Sequence, residues 1–280
     1  MEKSIRAEIR RFVFESPENR FPGKTEPYFD EPLIGFASAT DPLFVDYKRI
    51  IGEFHQSPGE IMTATLGNDV NAATVICWVL PITDATRKSN RLEASFPSRQ
   101  WAETRSFGEQ FNVSLRRHMV TFLTGRGHHA VAPQLSPVWK EFSESPVGVA
   151  SNWSERHAAY AAGLGTFSLN DALITPKGIA HRLGSVITDL TIQPSPHPYA
   201  DYRQNCLYYR ENSCGACIGR CPADALSRQG HDKAKCREFV YGTAPKAVAE
   251  LYGVPNTGCG LCQTGVPCEA MVPKGSIQGS

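Results

Sequence analysis

The sequence predicts an α+β protein in two unequal parts, an α/β domain followed by a smaller cysteine-rich module. Three observations carry this reading. Helical and strand-like segments alternate to about residue 192, Pro194, Pro196 and Pro198 break the pattern, and eight of the nine cysteines lie between Cys206 and Cys268. At 280 residues the chain also exceeds the usual size of one domain. We therefore expect an N-terminal helix and linker over 1–27, an α/β domain over 28–195, and the cysteine module with its tail over 196–280.

The elements follow in order. Ile5, Ile9, Phe12 and Val13 share one side of an opening amphipathic helix. Arg10-Arg11 before Phe12 faintly resembles a twin-arginine export signal, but Glu15 to Asn19 supply no apolar stretch behind it. Asp41, with Pro42 at the first helical position, is a candidate cap for a helix carrying Leu43, Phe44, Tyr47, Ile50, Ile51 and Phe54. Pro58-Gly59 is expected to end that segment. Ala72 to Ile82 is a nearly continuous β-branched run, the pattern of a strand covered on both faces. Within it, Cys77 reads as a small buried hydrophobe.

Arg99 to Thr124 sets Phe111, Leu115, Met119 and Phe122 on one helical face, with Gly125 and Gly127 as the stop. Arg116-Arg117-His118 on that helix reads as a solvated face. Adjacent His128 and His129 are expected to point to opposite sides of an extended chain and to face solvent. Asn152 is expected to cap a third helix, with Glu155 reaching back to its backbone N–H and Gly163 or Gly165 at the end. Leu183 to Ile192 reads as another strand.

The composition is 41% hydrophobic and 20% charged, with 29 Lys+Arg against 28 Asp+Glu, the profile of an ordinary globular protein. No strongly basic balance advertises a nucleic-acid partner. No apolar run approaches the ~20 residues that span a bilayer, so we expect no membrane partner and a cytoplasmic location.

The cysteines fall in two groups. Cys206, Cys214, Cys217 and Cys221-Pro222 form one, and Cys236, Cys259, Cys262 and Cys268 the other. Two C-x-x-C pairs suit a metal or cluster better than a disulfide framework. In bacterial ferredoxins each cubane takes three cysteines of one run and the last cysteine of the other. Transferred here, that logic gives one [4Fe–4S] cluster on Cys206, Cys214, Cys217 and Cys268, and a second on Cys236, Cys259, Cys262 and Cys221. The module is then ferredoxin-like. Two zinc sites are the alternative, since paired C-x-x-C motifs also serve zinc.

From Glu155-Arg156-His157 through Ala161-Ala162-Gly163-Leu164-Gly165, then Asn170, Leu173-Ile174-Thr175, Gly178 and Gly184 to Thr188, and on through Cys214 to Cys268, the chain resembles the epoxyqueuosine reductases and the corrinoid-dependent reductive dehalogenases. The resemblance implies a nitroreductase-like α/β domain that binds a cobalamin, and clusters that reduce its cobalt to the nucleophilic Co(I) state. It further implies that Gly163, Leu164, Gly165, Asn170, Gly178, Gly184 and Ser185 line the corrinoid, because small residues let backbone approach a flat macrocycle. A low-potential donor of the ferredoxin or flavodoxin type would supply electrons.

The match departs from the tRNA-acting enzymes in three ways. Val149-Ala150-Ser151-Asn152 holds no carboxylate where they carry an acidic proton donor, Ser280 falls short of their tRNA-contacting extension, and the charge is nearly neutral. These features place a small-molecule substrate, or a partner's corrinoid, ahead of tRNA. An electron carrier, a tRNA-acting epoxyqueuosine reductase and a cluster-only or flavin-using reductase remain as alternatives. His157 and Tyr160, one helical turn apart, are the candidate catalytic residues.

Overall fold

The computed structural model describes residues 1–275, so the end of the expected tail, 276–280, lies outside the described residues. In chain order the elements are α1 (Glu2–Glu15), β1 (Leu33–Ser38), α2 (Leu43–Ile51), α3 (Pro58–Leu66), β2 (Thr74–Pro81), α4 (Asp84–Arg91), α5 (Arg99–Thr124), β3 (Ala130–Val131), β4 (Glu141–Phe142), β5 (Ala150–Ser151), α6 (Glu155–Ala161), β6 (Thr166–Phe167), β7 (Leu173–Ile174) and β8 (His181–Thr188). The cysteine segment adds α7 (Leu207–Glu211), α8 (Ala216–Gly219), β9 (Leu226–Ser227), β10 (Gly230–His231), α9 (Lys233–Glu238) and α10 (Ala244–Tyr252). A π-helical turn over Phe239–Thr243 joins the last two helices.

The main sheet runs β1-β2-β8-β3 with every pairing antiparallel. All of β2 is buried, and the strand's period of two explains how. Ile76, Trp78 and Leu80 pack with Ile5, Ile9 and Val13 of α1 and Phe111, Leu115 and Met119 of α5. Val75, Cys77 and Val79 pack with Phe44 and Tyr47 of α2, Ile61 and Met62 of α3, and Ala158 and Ala159 of α6. The result is helix, sheet, helix. Trp78 finds room because Gly184 stands opposite it, where a Cβ would come within 2.5 Å of the indole. Its Nε1 donates to Asn112 Oδ1 at 2.9 Å.

Several local expectations are corrected. Pro58 opens α3 instead of closing the preceding segment, because Ser57 and Glu60 form a reciprocal capping box and proline at the first turn sacrifices no helical bond. The first segment ends earlier, at Gly52 with φ 145°. Asn152 does not cap α6: Ser154 does, accepting from the His157 N–H. Asn152 is instead buried, accepting from Lys140 N and donating to Gln56 Oε1 and Val138 O.

Arg116 is not solvated, being only 1% exposed, while its neighbour Arg117 does lie on the surface. His128 and His129 precede β3 on a turn, so both rings reach Asp189, at 3.5 and 2.7 Å. His129 is exposed, as expected. The proline-rich boundary also has a structural role: Ser195 N donates to Phe36 O at 2.9 Å and Ser195 Oγ accepts from Phe36 N at 3.0 Å, covering the free edge of β1. Among the described residues no helix is long and apolar enough to cross a membrane.

Candidate active site

Between the α/β layers and the cysteine segment lies a cavity of about 510 Å³, within the range of small-molecule sites. The long helix α5 supplies Trp101, Arg105, Glu109 and Arg116. The partly exposed start of β8 supplies His181 and Arg182, and the approach to α6 supplies Ser151, Trp153, Glu155 and Arg156. The opposite wall holds Cys221, Cys236, Cys259 and Cys262, with the π-helical turn beside them.

One wall is a ladder of alternating charge. Glu109 pairs with Arg182, whose Nε donates at 2.8 Å, and with Arg116 Nη1 at 3.0 Å. Arg116 Nε then lies 3.4 Å from Glu155 Oε1. Burial alone would raise the Glu109 carboxyl, but the guanidiniums of Arg182 and Arg116 outweigh it and hold the pKa at about 2. Glu155 goes the other way. Desolvation raises its pKa against the pull of Arg116, and Ser185 and Trp153 also lie close enough to lower it, although neither oxygen makes a well-aligned hydrogen bond among the described residues. A carboxyl held in this state is a latent proton source.

Two other wall residues bury an unpartnered polar atom: Gln134 Oε1 and His181 Nδ1. His181 Nε2 is 2.8 Å from Leu173 O, so the ring carries its proton there and Nδ1 is a free acceptor. Burial pushes this imidazole down to about 4, which keeps it neutral. Orphaned acceptors on one wall mark a site for a ligand with polar edges. The peripheral amides of a corrinoid have that chemistry.

The eight thiols gather in two quartets. Cys268 lies within electrostatic reach of Cys217, Cys206 and Cys214, and Cys259 within reach of Cys236 and Cys221, while Cys262 reaches those three and also Cys217 of the other set. Burial first, then neighbouring thiolates, pushes Cys217, Cys259 and Cys268 up to about 12. Such sulfurs need a cationic partner to ionise, which is what a bound metal provides. Among the described residues no three His, Cys, Asp or Glu side chains converge as a single ion requires. The second quartet, Cys221, Cys236, Cys259 and Cys262, opens on the cavity. The first surrounds a smaller void with Leu169, Ile174 and Val266, and Cys214 also lines an open groove with Gly215, Ser227 and Arg228.

The remaining sequence-derived candidates are placed as follows. Asn170 lines the cavity and its Nδ2 donates to Cys262 O at 3.0 Å, joining the two halves of the site. Gly163, at φ 71°, faces Pro196 of the edge-covering segment, Gly165 faces Ile174 O, which a Cβ there would approach to 2.5 Å, and Gly178, at φ 84°, faces Glu269 and Ala270. Leu164 packs with the α2–α3 core, and Ser185 accepts from Trp153 Nε1 at 3.0 Å. Neither His157 nor Tyr160 is among the described residues that line the cavity. His157 is buried against Tyr47 and Phe167, and desolvation lowers its pKa to about 3. The expectation missed Arg105, Glu109, Glu155, His181 and Arg182. Positions 105, 109, 112 and 116 carried a signal, a polar stripe at helical spacing that flanks the apolar face of α5.

No protein-family model matches the sequence, and no curated protein matches it. Solved structures do. An epoxyqueuosine reductase labelled with selenomethionine superposes with TM-score 0.52 at 16% identity, covering 98% of this chain and 69% of its own. The catabolic reductive dehalogenase NpRdhA superposes with TM-score 0.51 at 16% identity, covering 86% of this chain and 30% of that one. Its complex with 3-bromo-4-hydroxybenzoic acid gives TM-score 0.51 at 14% identity over 97% of this chain and 37% of that chain. The chain thus spans about a third of the dehalogenase. The fold is that of the two groups the sequence resembles, and it gives no ground for setting tRNA aside.

Proposed function

We propose that a chain with this fold, and with a cysteine quartet open to its interior cavity, is an iron–sulfur oxidoreductase. The quartet's position on the cavity wall carries the reading, because it sets an electron-transfer group beside a ligand site. Cys206, Cys214, Cys217 and Cys268 would hold an outer [4Fe–4S] cluster, with Cys214 on the open groove where a low-potential donor can approach. Cys221, Cys236, Cys259 and Cys262 would hold the inner one. A corrinoid in the cavity would supply a strongly reducing, nucleophilic metal centre for a reductive reaction on a small molecule.

The chain's own residues prepare that chemistry. Ala225 N donates to Cys221 Sγ at 3.3 Å, and such contacts tune cluster potential. Burial would lower His231, but Asp171 and Cys236 push it up to about 9, placing a cation by the inner quartet. Asn170, His181 and Gln134, which line the cavity, would contact the macrocycle. Glu155 would deliver the proton, a role that Val149 to Asn152 cannot fill.

Anaerobic purification from cells supplied with iron and cobalamin, followed by metal analysis and EPR, tests the reading. About eight irons and one cobalt per chain are expected from two cubanes and one corrinoid. Eight irons with no corrinoid uptake would leave an electron carrier, and zinc in place of iron would end the proposal. Loss of queuosine from tRNA on deletion would assign the substrate to RNA.

A further inference from the structure

The cavity walls carry more positive charge than their own contacts use. Arg105, Arg116, Arg156 and Arg182 face it, against the carboxylates of Glu109 and Glu155. Arg116 and Arg182 are committed to Glu109. Arg105 and Arg156 are different. Among the described residues neither has a carboxylate within ion-pair distance of 4.0 Å, and Arg156 Nη1 donates only to the carbonyl of Asp171, at 2.8 Å.

Both side chains are set by the fold to face inward. The stem of Arg105 runs over Gly258, where a Cβ would come within 2.9 Å of its Cγ, so that glycine clears its path beside Cys259. Tyr241 of the π-helical turn stands next to it. Arg156 retains a large accessible surface although protein surrounds it, because that surface lies in the cavity. Each also feels the charge of Arg182, which together with burial opposes their protonated forms. Glu109 acts on Arg105 and Asp171 on Arg156 only from beyond ion-pair distance, so each buried guanidinium keeps donors that an anion can take up. Planar guanidiniums match carboxylate and phosphate oxygens with paired hydrogen bonds.

We propose that the cavity binds its substrate through an anionic group, the carboxylate or phosphate of a small molecule, received by the guanidiniums of Arg105 and Arg156. This rests on the reductase reading for the word substrate, but the anion site itself does not require turnover. Leu173, Ile179 and Leu183 on the same walls would receive the uncharged remainder of the molecule.

Isothermal titration calorimetry on the full, cluster-loaded chain tests it, with benzoate and inorganic phosphate as probes and benzamide as the neutral match for benzoate. One anion should bind, and which of the two binds tighter separates carboxylate from phosphate. Benzamide should bind at least about tenfold more weakly than benzoate if carboxylate is preferred. Arg105→Gln and Arg156→Gln should each weaken the preferred anion by about tenfold or more, Arg105→Lys less, and the exposed Arg49→Gln not at all. Iron content and the visible spectrum check that each variant is folded. No anion binding to the parent protein, or binding unchanged in the double glutamine variant, overturns the proposal. If the arginines serve only to balance the cluster, the variants will alter its EPR signal without any anion binding to lose. Metal analysis decides the reductase reading separately: cobalt without anion binding sinks this inference alone, and anion binding without cobalt sinks the corrinoid alone.

Discussion

Arg116 of α5 and Glu155 of α6 meet 3.4 Å apart inside the molecule, and the same guanidinium holds Glu109 at 3.0 Å. Arg182 and this arginine together hold Glu109 low, whereas at Glu155 burial outweighs the pull of Arg116 and raises the carboxyl.

The two glutamates should respond to pH in opposite senses. Glu109 has its pKa depressed from 4.5 to about 2, so its stabilisation is present above the unfolded value and lost as pH falls towards 2. That linkage is worth about 3 kcal/mol for a shift of this size. Glu155 is raised, so folding favours its protonated form at low pH and loses that benefit as pH rises through the folded value. Denaturant titrations from pH 6 to pH 3 should show Glu109→Gln flattening the acid limb. A Glu109→Gln protein with the parent's acid slope would refute the assignment.

Gly260→Ala should disrupt the inner quartet. The residue sits at φ 67° and a Cβ there would collide with the Trp101 ring, between Cys259 and Cys262. Iron per chain should fall to about half of the eight expected for two cubanes. Full iron with an unchanged spectrum would show that the loop tolerates the side chain.

Cys77 provides the contrast. It is 1% exposed within the sheet, and burial raises its thiol. Cys77→Ser should retain all iron while losing about 1–3 kcal/mol of stability, the cost of a buried hydroxyl without a partner. Cys221→Ser and Cys214→Ser should each lose iron and leave different EPR signals.

Asn152 and Ser154 separate a bridge from a cap. Ser154→Ala should cost about 1 kcal/mol, as N-cap removal does. Asn152→Ala abandons Lys140 N, Gln56 and Val138 O, and should cost at least twice as much. Urea midpoints of the two variants would decide it, and equal losses would return the capping role to Asn152.

The same pair shows what the sequence could and could not reveal. Periodicity placed α5 at Arg99–Thr124 and the core strand within Ala72 to Ile82, because one side of each is fixed by burial. The choice among Asn152, Ser154 and Glu155 depended on partners 14 and 96 residues away, Val138 and Gln56, which no local rule contains. Arg116 was misread for the same reason: the charges that bury it come from Glu109 on its own helix and Glu155 across the cavity wall. The cysteines were legible as a set because their chemistry is written in spacing, whereas the arginine-lined space opposite them exists only once α5, β8 and the π-helical turn have come together.

The interleaving of the quartets bears on how the protein is made. Cys221 to Cys262 lies wholly inside the interval from Cys217 to Cys268. During synthesis the inner four cysteines leave the ribosome before Cys268 does. Once they are bridged, the loop left for the outer four to close shrinks from about fifty residues to about ten, a saving of roughly 1.4 kcal/mol in closure entropy. On the proposed ligand assignment, filling the inner set first would leave the outer one a shorter loop to close.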